Sequence, residues 1–188
     1  VALVGNSGAA KGASMDAAEL LLPEPAGLPS SHRLAPEAFP AGTGEGMVEL
    51  FFGLVPGEGG KGKDKVQIYD AILFRVDEGQ MLTALGDRSG STTLTTIRQM
   101  WSGESPRPSY VKNQGVVLRA HGYRAALVMA IQPTKARHLL NDTAGGTPQR
   151  FDWFATVDAE APDHPPRWPG PIAWKLPPRI WPSADGRV

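Results

Sequence analysis

The first fourteen residues, VALVGNSGAAKGAS, constrain this chain more than any other stretch. Val1 to Val4 is apolar throughout, which predicts a short parallel strand buried on both faces. Gly5 to Gly12 is built of small residues and predicts a tight turn. Ala13 to Leu22 has helical composition, and Pro23 stops it. A strand that turns through glycines straight into a helix is the opening unit of an α/β domain with a mostly parallel sheet.

The turn follows the phosphate-loop pattern G-x-x-x-x-G-K-[ST] in part. Gly5, Asn6, Ser7, Gly8, Ala9, Ala10, Lys11, Gly12 and Ala13 form the candidate cradle, with the first glycine and the lysine in register. Small residues let backbone N–H groups converge on phosphates, and Lys11 would bring charge to the β- and γ-phosphates. Ala10 stands where the pattern has glycine. Gly12 stands where it has a magnesium-ligating hydroxyl. Ser14, two positions on, points elsewhere on a helix, and water can take the vacant coordination position. A small-residue turn with an incidental lysine has the same letters.

A second apolar run, Ala71 to Val76, ends in Asp77-Glu78. An apolar strand tipped by two acids can hold a metal and aim a water. Asp77 would hold Mg2+, and Glu78 would orient and deprotonate the attacking water. Taken alone, the pair reads as a solvated turn. Downstream of a phosphate loop, the two halves support each other. Arg75 is an odd guest in a buried strand.

Further along, Met47 to Leu54 is expected to be a short helix, and Pro56 to Lys65 an exposed hairpin-like turn. Lys65 to Val76 reads as two strand segments meeting near Asp70. Gly79 to Leu85 should begin a helix, and Thr92 to Trp101 should form one, with Leu94, Ile97 and Trp101 on its core face. Val116 to Ala120, Ala125 to Ile131 and Phe151 to Thr156 are expected strands, and Thr134 to Asn141 a helix. Residues 23–46 are rich in Pro and Gly and read as loop with room for one short strand. Gln132 ends the strand Ala125 to Ile131 and could sense a γ-phosphate, or simply precede a helix-initiating Pro133. Arg150 follows a glycine loop and could stabilise transition-state charge in a neighbouring subunit's site, or sit in a surface ion pair.

The stretch from Gly86 to Gln114 carries Arg88, Arg98, Arg107 and Lys112 with Trp101 and Tyr110 interleaved. This is one way to grip single-stranded nucleic acid, and equally an ordinary solvated loop. Net charge is +0, so no bulk attraction to nucleic acid or membrane follows. No apolar run approaches the roughly 20 residues of a membrane span. The chain has no cysteine, which excludes thiolate metal sites and disulfides and fits a reducing cytoplasm. His32, His121, His138 and His164 show no zinc-ligand spacing. The abrupt start inside a strand reads as a fragment of a longer protein. Residues 1–160 are expected to form the core domain, and 161–188, dense in Pro and carrying Trp168, Trp174 and Trp181, an extended strap.

In order, GNSGAAKG, ILFRVDE, TTIRQMWSGE, YRAALVMAIQP and GGTPQRFDWF resemble the RecA-like, DnaB-like P-loop ATPase domain of replication proteins from phages, plasmids and integrated elements. The resemblance covers about residues 1–160. It implies a P-loop NTPase (RecA-like) fold, binding and hydrolysis of ATP with Mg2+, and coupling to DNA in a homo-oligomeric ring. It also implies Lys11 on phosphate, Asp77 on magnesium, Glu78 as base, Gln132 as sensor and Arg150 as finger. Two other readings stand beside it. One is a nucleotide-binding module that has lost turnover. The other is a small-molecule kinase, which would want an arginine-rich lid that the chain lacks.

Overall fold

A computed structural model describes residues 1–24, 33–57, 62–79, 81–82, 84, 92–106, 117–162, 164 and 166–175. Its elements run β1 (Ala2–Val4), α1 (Lys11–Leu21), β2 (Phe39–Pro40), α2 (Gly44–Glu49), β3 (Phe52–Pro56), β4 (Lys63–Gln67), β5 (Ala71–Val76), α3 (Thr93–Trp101), β6 (Arg124–Ile131), α4 (Pro133–Asn141) and β7 (Trp153–Ala155). A single 3-10 turn at Pro148–Arg150 precedes β7.

Five strands form one sheet in the order β2-β5-β6-β1-β7, and every pairing in it is parallel. The chain leaves β1 toward the β2 edge, and after β6 it passes over β1 to β7. The strand order therefore reverses between β1 and β6. In open α/β sheets, that reversal opens a crevice at the carboxyl ends of the strands. β3 and β4 stand apart as an antiparallel hairpin, closed where Gly57 N–H donates to Gly62 O at 3.2 Å.

Period-two alternation on β5 sends Ile72, Phe74 and Val76 into the core and Leu73 and Arg75 to the other face. On the core face, Phe51 packs its ring 6.4 Å from Phe74 and edge-on to Tyr123 at 5.5 Å. Met47, Met129 and Leu118 are buried with them. The helices α2 and α3 cross closely at Gly44, where a Cβ would lie 2.3 Å from Thr96 Oγ1. On the opposite face, α1 is held by Arg75, whose guanidinium reaches Asp16 at 2.6 Å and Glu19 at 3.0 Å. Arg75, out of place in the sequence, thus ties the helix after the glycine turn to the strand that carries the acidic pair.

Several expectations change. Met47 to Leu54 is not one helix. It is divided between the end of α2 and the start of β3, with buried Phe51 at the joint. Val117 to Arg119 is not strand; Leu118 is fully buried, but its carbonyl accepts from Ser105 Oγ at 2.7 Å instead of a ladder partner. Val116 of that expected strand lies outside the described residues. Trp101 is not core: at 63% exposure it lies at the surface, because its helix buries Thr93, Thr96, Ile97 and Met100 instead.

The described part of the proline-rich strap is tied to the end of α1. Trp174 Nε1 donates to Pro23 O at 2.8 Å, and Ile172 N–H to Leu21 O at 2.8 Å, which satisfies a carbonyl in the last turn of α1. Trp181 lies outside the described residues. Among the described residues, no helix is long and apolar enough to cross a membrane.

Candidate functional site

The crevice at the carboxyl ends of the sheet is lined by Lys11, Asp77, Glu78, Gly79, Ala130, Ile131, Gln132 and Lys135. Four of the expected site residues, Lys11, Asp77, Glu78 and Gln132, therefore share one cavity. Its volume is about 60 Å³, room for about four waters or one phosphoryl group.

β6 is the hub of this arrangement. Gly5 N–H donates to Ile131 O at 3.1 Å, and Gly79 N–H donates to Ala130 O at 2.7 Å. The glycine turn and the acidic turn, far apart in the chain, thus hang from consecutive carbonyls at one strand tip. Because β6 separates β1 from β5, their tips are two strand spacings apart, about 9–10 Å. Two glycines are needed for this closeness. A Cβ on Gly5 would fall 2.0 Å from Thr156 Oγ1, and one on Gly79 would fall 2.8 Å from Ile131 Cβ.

The turn itself keeps the backbone of its pattern. Ala10 has φ 51° and Gly8 φ 80°, both left-handed. Ala10 takes the conformation that suits the glycine it replaces, at a cost of about 1 kcal/mol for a residue with a Cβ. α1 then starts at Lys11, so its first amides lack intrahelical acceptors; of the turn and the helix start, Lys11 alone lines the crevice, and Gly5 to Ala10, Gly12 and Ala13 do not. Lys11 Nζ is turned back on the turn, donating to Gly5 O at 2.8 Å and Asn6 O at 2.7 Å. Ser14 Oγ donates to Ala10 O at 3.1 Å and does not line the crevice, so it does not replace the missing hydroxyl.

Asp77 is held from behind. Its Oδ1 accepts from Arg75 Nε at 2.9 Å, and its side chain is otherwise exposed. The three carboxylates around Arg75 hold its guanidinium well above the usual arginine range, hydrogen bonding to Asp16 contributing most. Gln132 caps the start of α4 without a side-chain bond to the helix. Among the described residues, no group of three or more acids or histidines gathers to hold a metal on protein ligands alone. One or two carboxylates beside substrate phosphates is the usual magnesium arrangement, and Asp77 with Glu78 fits that donor set.

Arg150 lies elsewhere. It precedes β7, at the amino edge of the sheet, and lines a separate apolar cavity of about 240 Å³ with Trp101, Phe74 and Ile97. Its Nη1 donates to Gly145 O at 3.2 Å and Gly146 O at 2.7 Å, and its guanidinium sits 5.3 Å from the Trp101 ring centre. Within one chain it cannot reach the crevice. Arg98 is likewise committed, bonding Asp142 Oδ2 at 3.0 Å. Gly145 packs against that pair, where a Cβ would fall 1.9 Å from Arg98 Nη1. The distinctive GGTPQRF segment therefore builds a structural knot. Arg88, Arg107, Tyr110 and Lys112 lie outside the described residues. Gly79, Ala130, Ile131 and Lys135 line the crevice without having been expected there, and Lys135 is the charged one among them. Its signal was present: three positions after Gln132, it shares that residue's helix face.

Compared with known proteins, the chain matches no family model, no curated sequence and no solved structure. The fold is an α/β fold of the Rossmann-like kind, with a five-stranded parallel sheet flanked by helices.

Proposed function

We propose that this chain is the ATP-binding and ATP-hydrolysing domain of a RecA-like, helicase-like replication protein from a mobile element. The observation that carries the reading is the single crevice shared by Lys11, Asp77, Glu78 and Gln132 at the point where the strand order reverses. In this reading the amides of the glycine turn and the start of α1 receive the phosphates. Lys11 leaves its two carbonyls to meet them. Asp77, oriented by Arg75, would hold Mg2+, which when bound would neutralise phosphate charge. Glu78 takes a proton from the attacking water, and Gln132 holds the terminal phosphoryl group from the β6 side. Arg150 could contribute only to the site of a neighbouring subunit in a homo-oligomeric ring. Contact with single-stranded DNA is carried by the sequence resemblance.

A second reading, a nucleotide-binding module without turnover, is favoured by two specific observations. Lys11 is bonded to its own turn, and no hydroxyl stands at Gly12. Phosphate release from ATP by wild type and by Glu78→Gln, each with and without single-stranded DNA, separates the two. The ATPase reading expects turnover that rises with DNA and falls at least 100-fold in the variant, roughly the scale of a lost general base. Nucleotide binding without any turnover in wild type selects the module.

A further inference from the structure

We propose that Lys135 is a second phosphate-contacting cation of the crevice, acting on the terminal phosphoryl group and so separating triphosphate from diphosphate. This rests on the triphosphate reading given above.

The geometry comes first. Lys135 lies on α4, whose buried Ala136 and Leu139 turn the helix so that Gln132 and Lys135 are both exposed. It lines the same cavity as Lys11, Asp77 and Glu78, on the α4 side, while Lys11 lines it on the side of the glycine turn. Among the described residues, no side-chain hydrogen bond or ion pair holds its ammonium.

The charge count gives it work. Asp77 is already paired with Arg75 behind it, so Lys11 and Lys135 are the cations left on the lining to meet an anion. Lys135 brings the lining to two and two. Lys11 sits beside the turn that receives the inner phosphates. Lys135 sits beside Gln132, on the side of the outermost one.

Calorimetric titration of wild type, Lys135→Ala, Lys135→Arg and Lys11→Ala with a non-hydrolysable ATP analogue and with ADP, both in Mg2+, tests this. Lys135→Ala is expected to bind the triphosphate about tenfold more weakly, the loss of one charged contact, while its ADP affinity stays within about twofold. Lys135→Arg should retain most of the preference. Lys11→Ala should weaken both nucleotides. Equal losses for ATP and ADP in Lys135→Ala, or no loss in either, would overturn the role of Lys135 while leaving the site standing. Failure of wild type to bind either nucleotide would overturn the site itself, and this role with it.

Discussion

At the scale of single residues, the glycine turn shows how a pattern can be kept while its letters change. Ala10 departs from the expected glycine, yet adopts the left-handed backbone that glycine would supply. Gly12 departs from the expected hydroxyl, and Ser14 does not stand in for it, because its Oγ bonds Ala10 O instead. The space for the missing group exists: a Cβ at Gly12 would meet no atom within 4 Å. Gly12→Thr should therefore fold normally and restore a metal-ligating oxygen. We expect its nucleotide affinity to gain about 1 kcal/mol, appearing as a lower Mg2+ requirement at fixed ATP. An unchanged Mg2+ requirement would mean that the hydroxyl is not facing a bound ion. That Lys11, Asp77, Glu78 and Gln132 lie at strand tips or beside a turn was legible in the sequence from their neighbours, and the fold brings them to one crevice. Lys135 was harder to see, since a lysine on an exposed helix face looks like any solvated charge until the topology brings it to the crevice.

At the scale of elements, the apolar strands were readable from composition, and the helix α3 from apolar residues spaced by three and four. What misled was apolar character without period. Met47 to Leu54 reads as one segment, but burial of Met47, Val48 and Phe51 uses a helix end and a strand start in succession. Leu118 is apolar and buried, but its segment packs as loop beside Tyr123, another core anchor. The Tyr123 hydroxyl donates to Glu104 O at 2.7 Å, and burial, reinforced by the Glu104 charge, pushes its pKa up to about 12. An unfolded tyrosine titrates near 10. The folded chain therefore holds this proton more tightly than the unfolded chain. Its contribution is intact below about pH 10 and drains away between about pH 10 and pH 12. Tyr123→Phe should lower stability by about 1 kcal/mol at neutral pH and lose less than wild type over that alkaline range. Urea midpoints from pH 8 to pH 12 check this, and parallel curves for the two proteins would rule it out.

At the scale of the whole molecule, the parallel sheet was expected, but its strand order was beyond reach of the sequence. Which strand lies between which depends on long-range packing that no local pattern encodes. The order decides the site, since β6 both separates the glycine turn from the acidic turn and fastens each by one hydrogen bond. It also decides that Arg150 sits at the opposite edge, bound to its own glycine loop and to Trp101. The central claim is that one ammonium and a carboxylate from distant parts of the chain meet around one triphosphate. A double-mutant cycle on Mg2+-dependent ATP binding with Lys11→Ala, Asp77→Asn and the double variant tests that most directly. The account predicts a coupling of about 1–2 kcal/mol between the two positions. Losses that simply add, to within about 0.5 kcal/mol, would contradict it.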